Sequence, residues 1–580
     1  MGQQLEELMR HNPPLLNSCL TGCVEIANCI VATAEKLAPE EVMSDASQTE
    51  GQPPTSQANQ ALAQTYLLQA IEFFGKLLEP LMTVPEHARS FVRNNGLAAV
   101  MKLISCRHIP RDFTRTEAGR FVVLVVGKTA FHSPNLVLGD VMQRTQEYLE
   151  ELLDSPKSVK NDVTDKSADI HEVTKVVGKA ELPACEGKLR GLELHLSLLS
   201  GIVGCLRGSS TAAEWDNDKG KALIDSMARC YYWLLHDTAA STLPAHSSSA
   251  PTGAAPGVSV REVLSSDALS VLERELVSGI DDVAATDEGN VDSVDHSHGT
   301  LGRSSADAAR SGICTDVTGA IAALLIRLSS SLGHATRRRQ DDRNASAQVH
   351  EKALAGALIK SFKYLLTSVT TSQDDDLSIF PRAANAVLVT ISLCLFGSQS
   401  VAPLTRDPHR SNQRGGVNML LLQVFEQSGG AEGITDFLSR LINVSMTTKE
   451  NPKVEGQLVK TVVRCFALCQ KLLETNLTVV GRNGQSSPLP GFDAATFNAT
   501  LKNKLFDALE PVWARMSPAS WSPILAPRLL DLFVSLMKPT AAQSATSEAG
   551  ASGASGAAVV GAPAQRVLPS FTHDPATVAS

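Results

Sequence analysis

The sequence predicts an all-α protein in which helices stack one after another as a solenoid. Apolar residues recur every three or four positions over long stretches, as they do on the buried face of a helix. Hydrophobic residues make up 43% of the chain but aromatic residues only 4%, a balance that favours packed helices over β-sandwiches. At 580 residues the chain exceeds one ordinary core, which fits several folding units or one extended solenoid.

Four segments show helical spacing most clearly: residues 59–84, 186–207, 455–475 and 522–538. In the second of these segments the apolar positions follow the steps of an amphipathic helix. The positions on that stripe are Leu189, Leu192, Leu196, Leu199, Val203 and Leu206. The first segment carries a similar stripe, with Leu67, Ile71, Phe74, Leu77, Leu78 and Leu81. We therefore predict a long helix in each of the four segments.

One short segment, Phe121–Val126, has the composition of a buried β-strand. A lone strand would lack a partner, because neither a second β-branched run nor a hairpin turn follows it. We therefore assign this segment to a buried helix.

Polar segments separate the helical ones and set the expected domain boundaries. Small, polar or charged residues predominate in five segments: 39–58, 155–185, 237–260, 281–312 and 400–415. Such segments bury too little apolar surface to offset the entropy lost on ordering, so we expect them to be disordered. The resulting map has N-terminal helices at 1–38, helical modules or segments at 59–153, 186–236, 313–399 and 416–538, a mostly disordered insertion at 237–312, and a disordered tail at 539–580.

A phenylalanine followed five residues later by a glycine occurs twice, and this pattern favours one kind of helical solenoid. Phe91 precedes Gly96 by five residues, Phe425 precedes Gly430 by the same interval, and an amphipathic helix follows each glycine. Because glycine often ends a helix in the left-handed conformation, we expect Gly96 to have a positive φ and the next helix to start at an angle. Armadillo units turn at corners of this kind. No strict repeat period is detectable, so we predict a degenerate armadillo- or HEAT-like solenoid.

The charge of the chain and the character of its N-terminus predict a location inside the cell and away from membranes. The formal net charge of −9 gives no general attraction to nucleic acid. The basic cluster of Arg337, Arg338, Arg339 and Arg343 lies beside two aspartates and is interpreted as a solvated loop. The polar N-terminus is unlike a signal peptide, and the longest unbroken apolar runs, such as 386–397, are too short to cross a bilayer. We expect a cytoplasmic or nuclear protein.

The eleven cysteines fit a reducing compartment. No CxxC pair occurs, and the pairs Cys19/Cys23 and Cys465/Cys469 have no second Cys or His pair at zinc-finger spacing. Buried free thiols are therefore expected, and neither a metal nor another cofactor is predicted.

Three motifs that hint at chemistry have plainer explanations. Gly127–Thr129 resembles the end of a phosphate-binding loop, but Val122 stands where the first glycine of that loop is required. The cluster of Asp292, Asp295, His296 and His298 lies in a Ser/Gly-rich segment without rigid support for a metal. The run Asp374–Asp376 favours the start of the helix that follows it.

The four aromatic residues between 215 and 233 leave two interpretations open. They are better explained as anchors of helix packing than as a surface for a partner peptide. These residues are Trp215, Tyr231, Tyr232 and Trp233.

The stretch from Pro85 to Leu153 resembles a helical module in the N-terminal half of giant HECT-type E3 ubiquitin ligases. That family includes the HECT, UBA and WWE domain-containing ligase of animals and the plant ubiquitin-protein ligases with armadillo-like arms. The resemblance is carried by Phe91, Gly96, Leu103, the loop Ile109–Phe113 and the valine-rich helix after it. A weaker resemblance follows in the C-terminal part, at Gly429–Gly430, the loop Ser487–Pro490, Trp513 and Leu529–Leu536.

The chain departs from that family in its chemistry. The ligases use a cysteine that follows a threonine and precedes a phenylalanine, within a C-terminal HECT domain. Here Cys465 precedes a phenylalanine, but Arg464 precedes Cys465, and the pair lies in an amphipathic helix. No catalytic residue is therefore carried over from the resemblance.

Together these features predict a non-catalytic scaffold arm of a HECT-type ligase, which contributes to substrate binding in protein ubiquitination. The expected partners are protein substrates or adaptors and other parts of a larger ligase, with no membrane and no specific nucleic acid. The alternative is a stand-alone helical-repeat adaptor unrelated to ubiquitin. A hydrolase or NTPase lacks any supporting motif.

Overall fold

The structure is a computed structural model that describes fifteen stretches of the chain. These are residues 2–37, 54–106, 108–110, 113–154, 182–206, 208–241, 305–336, 345–371, 380–397, 418–447, 452–474, 478–480, 486–488, 494–515 and 525–537. The chain divides into two compact units, Met1–Leu536 and Met537–Ser580, and of the second unit only Met537 is described.

The described chain is all-α apart from one small hairpin, which confirms the predicted class. In the first half the helices are α1 Gly2–His11, α2 Pro13–Leu37, α3 Pro54–Leu81, α4 Pro85–Arg93, α5 Gly96–Ile104, α6 Glu117–His132, α7 Pro134–Asp154, α8 Leu182–Cys205, α9 Gly208–Trp215 and α10 Asp218–Ser241. A 3-10 turn, Phe113–Arg115, precedes α6.

The second half continues in the same way. Its helices are α11 Ser305–Thr336, α12 Ala345–Thr371, α13 Phe380–Phe396, α14 Met419–Gln427, α15 Gly430–Thr447, α16 Pro452–Glu474, α17 Ala494–Arg515 and α18 Leu525–Met537. Two short strands, β1 Thr478–Val480 and β2 Ser486–Pro488, pair antiparallel with Val479 opposite Ser487. The sequence placed Ser487 and Pro488 in a loop, and the structure corrects that prediction.

Most of the helices form two rows within the first unit. The helices of the first row pack each against the next, in the order α3, α6, α8, α11, α13 and α16. The second row is built in the same way from α7, α10, α12, α15 and α17. The rows pack against each other, for example α7 on α8 and α10 on α11, and their buried apolar side chains form one continuous core.

Several pairs of neighbouring helices within a row run in the same direction. Gly75 of α3 lies against Phe121 of α6. One turn further along α3 and two turns further along α6, Lys128 Nζ donates to Glu79 Oε1 at 2.9 Å. The same parallel order links α6 to α8 and α13 to α16. In the second row, contacts between α10 and α12 also advance together along both helices.

The helix α8 shows why spacing predicted its position but not its surroundings. The predicted stripe from Leu189 to Val203 is buried, and Leu206 lies just beyond the helix end. Residues on the opposite side, such as Leu194, Leu198 and Ile202, are buried as well. Because α6, α7 and α11 all pack on α8, it is buried almost all round rather than amphipathic.

The segment Phe121–Val126 is helical, as predicted, and lies inside α6. Thr116 caps this helix, because its side-chain oxygen accepts a hydrogen bond from the Gly119 amide at 3.2 Å. Val122, Val125 and Val126 are buried between the neighbouring helices of the row. Packing on both sides therefore outweighs the β-propensity of these residues.

The two phenylalanine–glycine corners exist, but their left-handed residue is not the one predicted. Asn95, with φ 60°, turns the chain between α4 and α5, and Gly96 is the first residue of α5. At the second corner Gly429 has φ 72° and Gly430 begins α15. Asparagine is among the few residues that enter the left-handed region at modest cost, so the chain does not need glycine there.

Several helix ends lie inside segments that the sequence predicted to be disordered. The helix α3 begins at Pro54 within the predicted gap 39–58, and α8 begins at Leu182 within 155–185. The predicted insertion 237–312 contains the end of α10, at Ser241, and the start of α11, at Ser305. The remaining residues of these predicted gaps, the segment 400–415 and the tail from 539 lie outside the described residues.

Within the described stretches, two helices are long and apolar enough to cross a membrane when only length and composition are considered. They cover Pro14–Leu37 and Ile313–Leu332, and 61% of the second is buried within the protein, against 28% of the first. This test averages hydropathy over a window, whereas the sequence argument counted unbroken apolar runs. The core helix of a globular protein passes the same test, so the absence of a membrane partner stays a prediction.

Candidate interaction surface

The cysteine closest to the ligase motif is placed where it cannot act as a nucleophile. Cys465 is fully buried in α16. A hydrogen bond with Cys469 and burial raise the pKa of the Cys465 thiol well above its usual value. The thiolate is the reactive form of cysteine, so this side chain is inert in the folded protein.

The cysteines are mostly buried free thiols, as the sequence indicated, with one clear exception. Cys29 on α2 is exposed, while Cys19 and Cys205 are half-buried and the other seven described cysteines are buried. Burial raises the pKa of Cys23 to about 11, with a further contribution from Cys19.

The segment Gly127–Thr129 belongs to α6 and does not form a phosphate-binding loop. The Lys128 ammonium is paired with Glu79 of α3, and the Thr129 hydroxyl donates to the Val125 carbonyl at 2.7 Å. The backbone amides of Gly127–Thr129 donate hydrogen bonds within α6, so they cannot converge on a phosphate.

The cluster weighed as a metal site, Asp292–His298, lies outside the described residues. The acidic run Asp374–Asp376 and the basic cluster Arg337–Arg343 lie outside them as well. Among the residues that the structure does describe, no group of three or more His, Cys, Asp or Glu side chains is arranged to hold a metal ion.

The aromatic cluster serves helix packing, which confirms the preferred interpretation. Trp215 and Tyr231 are fully buried, and Trp233 is half-buried. The Tyr231 hydroxyl lies 2.8 Å from Thr390 Oγ1, and the Tyr232 hydroxyl donates to the Ser368 carbonyl at 3.2 Å. These bonds join α10 to α13 and α12, so the cluster connects both rows.

The most exposed large apolar side chain in the described part of the protein is Phe73, which is 70% exposed on α3. The Lys76 ammonium lies 5.9 Å from the centre of the Phe73 ring and 5.6 Å from that of Phe121 on α6. Both distances fit cation–π attraction. We name the group formed by Phe73, Lys76 and Phe121 the Phe73 surface.

The charges around the Phe73 surface balance one another. Lys76 pairs with Glu72 on the preceding turn of α3, and Arg120, which precedes Phe121 in the sequence, pairs with Glu117 at 3.3 Å. Because each cation has a neighbouring carboxylate, this surface is not the basic patch that nucleic acid requires. An exposed ring with balanced charges is typical of protein contacts, in which aromatic residues are enriched.

The sequence analysis did not single out Phe73. It placed the adjacent Phe74 on the buried stripe, where the structure confirms it. Neighbours in a helix are about 100° apart, so the spacing does place Phe73 off the stripe. The doubled phenylalanine with a lysine three positions later was the signal available for this surface.

No protein-family model matches this chain, and no curated protein matches its sequence.

Proposed function

We propose that the two rows of helices form a degenerate armadillo- or HEAT-like solenoid that acts as a protein-binding scaffold. The observation that carries this proposal is the parallel order of helices within each row, seen between α3 and α6 and between α10 and α12. Repeated helical units stacked in register produce such rows, because each unit contacts mainly its neighbours.

Within this proposal the scaffold is the non-catalytic arm of a HECT-type E3 ubiquitin ligase. The support is the resemblance of Pro85–Leu153 and, more weakly, of the C-terminal helices to the arms of those ligases. The burial of Cys465 agrees with a part of the ligase that leaves the chemistry to a HECT domain. The protein would bind substrates or adaptors in the cytoplasm or nucleus.

An immunoprecipitation tests this assignment. Antibodies raised against the folded chain would recover the native protein from its source cells, and mass spectrometry would search for HECT-domain peptides. We expect such peptides, in the same polypeptide or stably bound to it. A precipitate free of HECT-domain peptides and of ligase activity would overturn the ligase assignment and favour a stand-alone adaptor.

A surface variant tests the scaffold role itself. Phe73→Ser removes the exposed ring without opening a core cavity, so folding should persist. The matched control is Val349→Ser on α12, which is 62% exposed and belongs to the other row. We expect Phe73→Ser to reduce crosslinking to the co-purified partners at least severalfold while Val349→Ser leaves it unchanged. Equal crosslinking by both variants and the wild type would exclude the Phe73 surface.

A further inference from the structure

A buried carboxyl group fastens the 3-10 turn before α6 to the next helix of the row. The Thr114 hydroxyl donates a hydrogen bond to Glu193 Oε1 on α8 at 2.7 Å. Glu193 is only 8% exposed, which is rare for an acidic residue. The two residues are 79 positions apart in the sequence, so this hydrogen bond is a tertiary contact between separate elements.

The same turn is also tied to a third helix. Arg115 forms an ion pair with Asp316 on α11, and both side chains remain partly exposed. The helices α6 and α11 both pack against α8, and the Arg115 side chain connects the turn before α6 directly to α11. Thr114 and Arg115 thus hold one short turn against two helices, with Glu193 beneath them.

The surroundings of Glu193 disfavour its charged form. Burial is the largest influence and raises the pKa of Glu193 to about 7. The hydrogen bond from Thr114 lowers this pKa, Asp316 on α11 raises it, and Arg115 on the turn and Arg190 on α8 lower it. The carboxyl group therefore changes its charge close to the pH of the cell interior, unlike an ordinary glutamate.

We propose that Glu193, Thr114 and the Arg115–Asp316 pair form a latch that holds the turn Phe113–Arg115 on α8 and α11 while Glu193 carries its proton. When the proton passes to water, the new carboxylate lies in a buried position near Asp316, and burial outweighs the attraction of Arg115, Arg190 and the Thr114 hydroxyl. The carboxylate reaches water only if the turn lifts, which also exposes the Phe113 ring, now 2% exposed. The latch is closed at acidic pH and open at alkaline pH.

This latch would make one edge of the first row sensitive to pH. When the latch opens, the turn separates from α8 and α11. The helix α6 stays folded, because Thr116 caps it through a hydrogen bond from the Gly119 amide within α6. The inference goes beyond the scaffold role and does not depend on the ligase assignment.

Hydrogen exchange of the full chain tests the latch. The wild type and Glu193→Gln would be compared at pH 5.5 and pH 8, following the amides of residues 113–119. Both chains share the sequence of this peptide, so their ratio at each pH is free of the intrinsic effect of pH on exchange. We expect the wild type to exchange at least severalfold faster, relative to Glu193→Gln, at pH 8 than at pH 5.5. Opening exposes Glu193 to water, where its pKa returns towards the ordinary 4.5, so opening becomes easier as the pH rises from there to about 7.

Two further variants separate the latch from general destabilisation. Glu117→Gln on α6 removes an exposed carboxylate next to the same turn. Because this change alters the followed peptide, its exchange is compared as protection factors, and its ratio to the wild type should be the same at pH 5.5 and pH 8. Thr114→Val, which removes the hydrogen-bond donor, should loosen the turn already at pH 5.5. The proposal is overturned if the wild type and Glu193→Gln exchange alike at pH 8, or differ by the same factor at both pH values.

Discussion

The ring of Phe91 lies directly against the α-carbon of Gly96. A methyl carbon added at Gly96 would stand 2.5 Å or less from three carbons of that ring. The second corner repeats this arrangement, because a methyl carbon at Gly430 would come equally close to the ring of Phe425. At both corners glycine therefore supplies space for a phenylalanine, while the residue before it makes the turn.

The first prediction follows from this contact. Gly96→Ala should destabilise α4 and α5 by about 1–3 kcal/mol, because the buried Phe91 ring must move to admit the methyl group. Gly139→Ala on α7 is the control, since a methyl group there meets nothing within 4 Å and alanine favours a helix by up to about 1 kcal/mol. Hydrogen exchange of residues 85–104 measures the effect.

The same prediction has an internal check. In a Phe91→Ala background the space beside Gly96 is vacated, so the penalty of Gly96→Ala should largely disappear. An undiminished penalty in that background, or a single variant as stable as Gly139→Ala, would show that Phe91 is not the reason for glycine.

A second prediction concerns the contact between the rows at Tyr231 and Thr390. Tyr231→Phe deletes a hydroxyl group that is fully buried and leaves the Thr390 hydroxyl without this partner. We expect a loss of about 1–3 kcal/mol, the usual cost of a buried group left unsatisfied. The double variant with Thr390→Val should lose less than the sum of the single losses, as measured by urea unfolding. Strictly additive losses would contradict a direct bond.

A third prediction concerns acid sensitivity at His195 on α8. Burial lowers the pKa of His195 below its ordinary value of 6.5, although Nδ1 lies 2.7 Å from the Gly191 carbonyl oxygen and this hydrogen bond opposes the effect. Just below pH 6.5, His195 therefore binds a proton in the unfolded chain but stays neutral in the folded chain. The contribution of neutral His195 to stability is complete above pH 6.5 and is lost as the pH falls below it, by up to about 1.4 kcal/mol per pH unit.

Thermal melting between pH 5 and 7 measures this effect. His195→Phe keeps an aromatic ring beside Tyr148, where the two rings now lie 5.1 Å apart, and should flatten the decline of the melting temperature at acidic pH. The measurement is best made in a Glu193→Gln background, because Glu193 has the opposite dependence. The exposed His11→Phe controls for the loss of one imidazole. An unchanged decline in His195→Phe would show that another group causes it.

The helices were predictable because their apolar spacing reports burial directly. The buried leucines of α8 and the burial of Phe74 in α3 follow from the period of 3.6 residues. The assignment of Phe121–Val126 to a helix was also correct, since the absence of a nearby strand partner is visible in the sequence. Positions of the helix ends were less predictable, as the start of α11 at Ser305 within a polar segment shows.

Other features could not be predicted from the sequence because they depend on distant residues. The contacts of Thr114 with Glu193 and of Tyr231 with Thr390 join positions 79 and 159 apart. The left-handed residue at the first corner was assigned to Gly96, because the sequence does not reveal that the Phe91 ring needs the space. The short strands around Val479 were missed, since three residues are too few for a spacing signal.

The central claim is that this protein is a scaffold without ubiquitin-transfer chemistry of its own, and a thioester assay tests it most directly. The purified chain would be incubated with an E2 enzyme charged with ubiquitin and analysed with and without reducing agent. We predict no reducible ubiquitin adduct on the chain, and the same result for Cys465→Ala, because the Cys465 thiol is buried and protonated. A reducible adduct that forms on the wild type and is lost in Cys465→Ala would contradict the account.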